Sequence, residues 1–170
     1  MGNRKYHRAV TEAVRGQGGH VAKFLGDGVL AYFGWPRAHE DDAERAVRAG
    51  LAVARAVEQL QTSAGPMAAR MGIATGPVVV GEVLGEGEAR ERGVVGETPN
   101  LAARLQALAE PGAVVLDGAT RRLIRGLFDY AELGEVGLKG VPRPMRAWRA
   151  LGEGRVESRF EALRAGAHAT

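Results

Sequence analysis

The chain has 170 residues, a formal net charge of +3 and no cysteine. Its length suits one domain, and a composition of 45% hydrophobic and 25% charged residues predicts a folded chain with a sizeable core. The lack of cysteine excludes disulfides, thiolate zinc sites and a cysteine nucleophile. The sequence contains neither an apolar run long enough to cross a bilayer nor an N-terminal signal-peptide pattern, so we expect a cytoplasmic protein that does not enter a membrane.

The basic character of the chain first suggests nucleic acid as a partner, since the pI is about 9.7. Its arginines, however, alternate with acidic residues, as in "EDDAERAVRAG", and aromatic residues make up only 5% of the chain. We therefore expect no nucleic-acid binding. Basic residues gathered around a triphosphate would explain part of the excess charge equally well.

The first third of the chain predicts a helix, a β-hairpin and a second helix. Apolar residues spaced by four indicate a helix over 4–16, and two apolar runs at 20–25 and 29–34 flank Asp27-Gly28, a typical hairpin turn. The segment "HEDDAERAVRAGLAVARAVEQL" predicts a long amphipathic helix, in which Asp41 and Glu44 resemble a capping box. Its predicted buried stripe consists of Ala43, Ala46, Val47, Gly50, Leu51, Ala54 and Val57.

The rest of the chain alternates strands and helices. The segment "MAARMGIATGPVVVGEVLG" predicts two strands, and Thr98-Pro99 predicts the capped start of a helix through "NLAARLQALA". A strand "AVVLDG", a short helix "ATRRLIRGL" and a final strand pair over 127–137 and 143–151 follow. This order predicts an α+β sandwich with helices on one face of a mainly antiparallel sheet. We expect one domain over residues 1–151 and a linker or tail over 152–170.

Two residues of the hairpin are candidates for chemistry. Asp27 suits a turn because aspartate tolerates left-handed backbone, but a hard carboxylate at an exposed turn could also hold Mg²⁺. Strand alternation puts Lys23 on the same side as Asp27, where an ordinary solvated lysine is the simpler interpretation. Neither residue, taken alone, shows whether its role is structural or functional.

Three further candidates lie in the second half of the chain. Asn100 and Arg104 are spaced i, i+4 and so share one face of the predicted helix, beside an apolar face of Leu101, Leu105 and Leu108. An amide paired with a guanidinium suits a phosphate or ribose oxygen, although a solvent-facing polar stripe has the same pattern. Lys139, in "LKGVP", is either a turn lysine or a mobile charge for a triphosphate. The four histidines show no metal-ligand spacing, and no P-loop occurs.

The order of these signals is more specific than any one of them. The series "KFLGDGVLAYFG", "RMGIATGPVVVGEVLG", "VVGETPNLAARLQ" and "LKGV" resembles the class III adenylate/guanylate cyclase catalytic domain over roughly residues 6–150. Among these, it resembles bacterial domains fused to an ATPase and helical-repeat signalling region. The resemblance implies a ferredoxin-like α+β fold and a head-to-tail homodimer with active sites at the interface. It also implies a lyase of intracellular signalling that converts ATP, or alternatively GTP, to the cyclic nucleotide and pyrophosphate.

The resemblance also implies roles for individual residues. Asp27 matches a metal-binding aspartate, and two Mg²⁺ or Mn²⁺ ions are implied for each site. Lys23 matches the lysine that recognises the purine, and Lys139 resembles one that binds the triphosphate. Asn100 matches the residue that orients the ribose, and Arg104 matches the residue that stabilises charge developing on the phosphate.

Two departures from the family pattern limit these expectations. The family carries a second metal aspartate in a stretch like F-x-D-[ILV]-x-G-[ST], which this sequence lacks, so we expect an N-terminally truncated domain without its first strand. The position seven before Asn100 is Gly93, where an Asp or Thr side chain commonly helps to select the purine. A catalytically deficient, nucleotide-binding regulatory module is therefore the alternative function.

Overall fold

The computed structural model describes residues 2–25, 28–62, 65–78, 97–138 and 143–154. The helices are α1 (Gly2–Gly16), α2 (Asp42–Glu58), α3 (Glu97–Leu108) and α4 (Gly118–Ile124), the last continuing into a 3₁₀ turn (Arg125–Leu127). The strands are β1 (His20–Leu25), β2 (Gly28–Tyr32), β3 (Gln61–Thr62), β4 (Gly65–Pro66), β5 (Met71–Ile73), β6 (Val114–Asp117), β7 (Phe128–Val136) and β8 (Met145–Glu153). The first helix, the hairpin and the final strand pair are confirmed, with ends shifted by one or two residues.

One four-stranded sheet forms the centre of the described structure. Its strand order is β5-β6-β8-β7, in which β5 and β6 are parallel and the other two pairings are antiparallel. The expected mainly antiparallel sheet is confirmed. Strands β1 and β2 form a separate antiparallel hairpin, in which Leu25 pairs with Gly28. The predicted strand after Thr75-Gly76-Pro77 lies outside the described residues, as do residues 155–170 of the tail predicted over 152–170. Strand β8 extends to Glu153, into the start of that predicted tail.

Helices cover both faces of this sheet, so the prediction of helices on one face is wrong. Val114 and Leu116 of β6 pack in one cluster with Val47 of α2, whereas Val115 packs with Leu105 of α3 in another. All four residues of β6 are buried. A strand buried on both faces has a continuous apolar run instead of alternation, and "AVVL" has that pattern.

Helix α2 is buried along a broader surface than its predicted stripe. Val53 and Val57 pack against Val10 and Val14 of α1, while Val47 faces the sheet. Because α2 lies between α1 and the sheet, two stripes are covered instead of one. The buried residues are Val47, Ala49, Gly50, Val53, Ala54 and Val57, so the prediction missed Ala49 and Val53 and overstated Ala43, Ala46 and Leu51, which are partly exposed.

The predicted capping box of α2 is absent. The backbone of Asp41 has φ −105° and ψ 30°, away from the extended conformation of most N-caps, and its side chain makes no capping hydrogen bond. Its Oδ1 instead accepts a hydrogen bond from Arg45 Nε at 2.7 Å, and this bond lowers the pKa of Asp41. An i, i+4 ion pair has replaced the cap.

Tyr130 provides a test of the β7 packing by alkaline pH. Burial raises the pKa of Tyr130 from its ordinary value of 10.0 to about 12, although the Arg121 guanidinium lies 4.7 Å from the ring centroid and favours ionisation. Its hydroxyl donates to the Arg125 carbonyl at 2.7 Å, which a phenolate could not do. The folded-state pKa of Tyr130 is higher than its unfolded-state pKa. The stabilisation that protonated Tyr130 gives to the folded state is therefore complete below pH 10 and is lost as pH rises toward 12.

We therefore expect the wild-type chain to lose about 1 kcal/mol of unfolding free energy more than Tyr130→Phe between pH 9 and pH 12, because solvent around the half-buried ring screens part of the effect of the pKa shift. Urea unfolding of both proteins across this range measures the difference. Parallel pH profiles for the two proteins would show that Tyr130 does not carry the effect.

Candidate functional site

Helix α3 carries Asn100 and Arg104. The helix begins at Glu97, so the prediction that Thr98 caps it is wrong. The Thr98 hydroxyl instead donates to the Pro77 carbonyl at 2.9 Å, in the turn that follows β5. This bond ties the first turn of α3 to a distant part of the chain, which a local pattern does not reveal.

Gly72 of β5 allows α3 to lie directly on the sheet. A Cβ at this position would be 2.1 Å from the Ala102 carbonyl oxygen and 2.4 Å from the Gln106 backbone nitrogen. The Gln106 side chain also donates from Nε2 to the Arg70 carbonyl at 3.3 Å. Backbone therefore touches backbone between this helix and β5, as only glycine permits.

The polar and apolar faces of α3 are separated as predicted, apart from one residue. Leu105 is buried and Leu101 is half-buried against the sheet, but Leu108 is 38% exposed and Ala109 takes the expected buried place. Asn100 is exposed and Arg104 is half-buried. The two side chains thus belong to a surface-facing part of a helix whose opposite side is fixed to the core.

Lys23 lies on a different part of the fold, in the β1–β2 hairpin. It pairs with Leu30, while the next residue, Phe24, pairs with Val29. The Phe24 ring lies 4.5 Å from the His7 ring of α1, and Val29 packs in the cluster around α1 and α2. Strand alternation therefore places half-buried Lys23 on the hairpin face opposite to α1.

The remaining predicted site residues, Asp27, Gly93 and Lys139, lie outside the described residues. Residues 26 and 27 connect the paired ends of β1 and β2, so the hairpin around Asp27 is confirmed while its metal-binding role stays a prediction. Among the residues that the structure describes, no three His, Cys, Asp or Glu side chains converge on a point that could hold a metal ion.

A buried polar cluster at the start of α4 was not predicted. Asp117 and Thr120 are 3% and 0% exposed, and Asp117 Oδ1 accepts from the Thr120 amide at 3.0 Å and the Thr120 hydroxyl at 2.6 Å. Thr75 reaches this pair from the end of β5, with 2.8 Å between the two threonine hydroxyl oxygens. The Asp-x-x-Thr spacing at the start of α4 is a signal for the cap, but not for the contact with Thr75.

Comparison with known proteins connects this architecture to a family. Residues 6–152 match the adenylate and guanylate cyclase catalytic domain. The chain belongs to this family. The proposed resemblance to the adenylate/guanylate cyclase catalytic domain is thereby confirmed, and so is the cyclase domain fold, while the resemblance to domains fused to an ATPase and helical-repeat region stays a prediction.

Relatives with both nucleotide preferences resemble this cyclase domain. It is 30% identical to adenylate cyclase 1 of Rhizobium meliloti over 93% of this chain and 25% of that protein. Among solved structures, the adenylyl cyclase CyaB from P. aeruginosa has a TM-score of 0.80 at 28% identity, covering 91% of this chain and 82% of that one. The guanylyl cyclase Cya2 has a TM-score of 0.78 at 28% identity, covering 91% and 81%.

The chain spans only 16% to 42% of the length of the first curated relatives that it matches, which include uncharacterized proteins of Rhizobium meliloti and Mycobacterium bovis. In the described part of this cyclase domain, every helix is too short or too polar to cross a membrane.

Proposed function

We propose that this domain converts ATP to cyclic AMP and pyrophosphate, with GTP as a poorer substrate. The observation that supports this most is the placement of Asn100 and Arg104, which share a surface-facing part of a helix fixed to the core. These two residue types at this spacing are what the family uses on the ribose and the phosphate. The membership of the chain in the cyclase family makes nucleotide cyclisation the reaction to test.

The proposed reaction is an intramolecular displacement. The ribose 3′-oxygen forms a bond to the α-phosphorus, the bond from that phosphorus to the bridging oxygen breaks, and pyrophosphate leaves while the hydroxyl proton is released. The Asn100 amide would hold the ribose in line, and the Arg104 guanidinium would offset negative charge that grows on the phosphate oxygens.

The triphosphate requires further cations. Lys139 would contact its phosphate oxygens, and the Asp27 carboxylate is the kind of oxygen donor that Mg²⁺ and Mn²⁺ prefer. Two such ions, when bound, supply charge neutralisation and lower the pKa of the attacking hydroxyl. Lys23 would recognise the purine edge, with no help from a side chain at Gly93.

A homodimer is proposed because the two residue sets lie on separate elements. Lys23 belongs to the hairpin that packs on α1, whereas Asn100 and Arg104 belong to α3, on the sheet face opposite to α2. A head-to-tail dimer would bring the hairpin of one protomer to the α3 helix of its partner. The polar residues on both elements would then line one shared site.

The experiment is a comparison of ATP and GTP turnover by the purified chain with Mg²⁺ and with Mn²⁺. We expect kcat/KM for ATP to be only several-fold above kcat/KM for GTP. The reason is that the hydrogen bond missing at Gly93 is worth about 1 kcal/mol. A preference for GTP would reverse the proposed substrate. Tight nucleotide binding without any cyclic product would favour the alternative, a nucleotide-binding regulatory module.

A further inference from the structure

The turn after β5 is held from two sides. On one side, the buried Asp117–Thr120 pair reaches Thr75, and on the other, Thr98 of α3 reaches the Pro77 carbonyl. Gly76, between them, lies against Thr98, since a Cβ there would be 2.6 Å from Thr98 Oγ1. The turn therefore forms a physical bridge between the buried cluster and the first turn of α3.

The direction of the hydrogen bonds in the buried cluster follows from proton counting. The single hydroxyl proton of Thr120 is donated to Asp117, so Thr120 Oγ1 accepts from the Thr75 hydroxyl. The Thr75 amide also points to Asp117 Oδ2, at 3.4 Å. Since Asp117 and Thr120 are buried among core residues, they give the turn a fixed anchor.

The far end of this bridge lies two residues before Asn100. Pro99, the residue between, has a fixed φ, which limits the freedom of the backbone that joins Thr98 to Asn100. The Thr98 hydroxyl has one proton, and that proton goes to Pro77 O. The buried cluster can therefore affect the orientation of Asn100 through these hydrogen bonds without touching a substrate.

We propose that Thr98 is a positioning residue whose hydrogen bond to the Pro77 carbonyl transmits the rigidity of the buried Asp117–Thr120 pair to the first turn of α3 and so fixes the direction of Asn100. The inference rests on the proposed function, in which Asn100 orients the ribose of the nucleotide. The hydrogen bond itself does not depend on any ligand.

The test compares Thr98→Val, which removes the hydroxyl at nearly constant shape, with Thr98→Ser, which keeps it. Hydrogen–deuterium exchange without nucleotide would follow the amides of residues 101–104, which close the first turn of α3. We expect Thr98→Val to raise their exchange rates about fivefold, and Thr98→Ser to leave them near wild type. Equal rates in all three proteins, or equal acceleration in both variants, would overturn the proposal.

Turnover of ATP provides the second measurement. We expect Thr98→Val to lower kcat about fivefold with little change in KM, and Thr98→Ser to restore kcat. Tyr130→Phe is the matched control, because it loses one hydrogen bond away from α3 and should leave kcat unchanged. Unchanged kcat in Thr98→Val would overturn the positioning role, and a parallel loss in Tyr130→Phe would assign the effect to general stability. A wild-type chain without turnover would overturn the proposed function alone, because the exchange rates decide the inference about Thr98 without nucleotide.

Discussion

Gly72→Ala is expected to destabilise the domain by about 3 kcal/mol or more and to abolish nucleotide turnover. Overpacking a core usually costs about 1–3 kcal/mol, because side chains can yield. Here the new methyl group would lie 2.1 Å from the Ala102 carbonyl oxygen, and neither backbone can yield without moving α3 or β5 as a whole. Because α3 carries Asn100 and Arg104, any relief of the clash also displaces the candidate site.

Thermal or urea unfolding measures the stability of Gly72→Ala, and a cyclase assay measures its activity. Gly137→Ala is the matched control, since a Cβ at Gly137 would have no atom of the described residues within 4 Å. The control should fold and turn over nucleotide like the wild type. A Gly72→Ala protein as stable and as active as the control would contradict the close contact between α3 and β5.

Asn100→Ala should reduce kcat about 100-fold while leaving the unfolding free energy unchanged, because removal of one well-placed donor at a reacting centre commonly costs 10²–10³ in rate. Asn100 is exposed and its helix is held by the opposite face, so truncation creates no cavity. Glu110→Gln is the control, as Glu110 lies just beyond α3, its side chain is 83% exposed and its only described ion pair, with Arg149, is long at 3.7 Å.

A mixture of two inactive variants separates a shared site from a site within one chain. If the hairpin of one protomer meets α3 of its partner, mixed dimers of Asn100→Ala and Asp27→Ala contain one intact site each. Random pairing would then restore about a quarter of wild-type activity, since half of the dimers are mixed and half of their sites are intact. A mixture as inactive as its components would exclude the proposed homodimer arrangement.

Local patterns predicted the elements that depend on local physics. The hairpin around Asp27-Gly28 and the long strands β7 and β8 are where turn chemistry and apolar runs placed them. The capping box failed because Arg45, one turn away, competes for the Asp41 carboxylate. The pairing of Asn100 with Arg104 on one helix was predictable from their spacing, whereas the surroundings of that helix were not.

Other unpredicted features involve contacts between distant parts of the chain. Gly72 and Ala102 are 30 positions apart, and Thr75 and Thr120 are 45 positions apart, so no local window contains either pair. A glycine in a strand signals a close approach without saying what approaches. The burial of β6 on both faces was readable from its apolar run. The run does not say which helix covers each face, so the two layers of helices were not predictable from it.

The direct contact between α3 and β5 has a mechanical consequence. Most helices rest on a sheet through a layer of side chains, which can change rotamer and so let the helix slide. At Gly72 that layer is missing, and the Gln106 side chain bonds to the Arg70 carbonyl beside it. A signal that shifts α3 therefore has to move β5 with it, and because β5 pairs with β6, that movement is carried into the sheet. The helix α3 and the strand β5 are therefore expected to move together as one rigid unit.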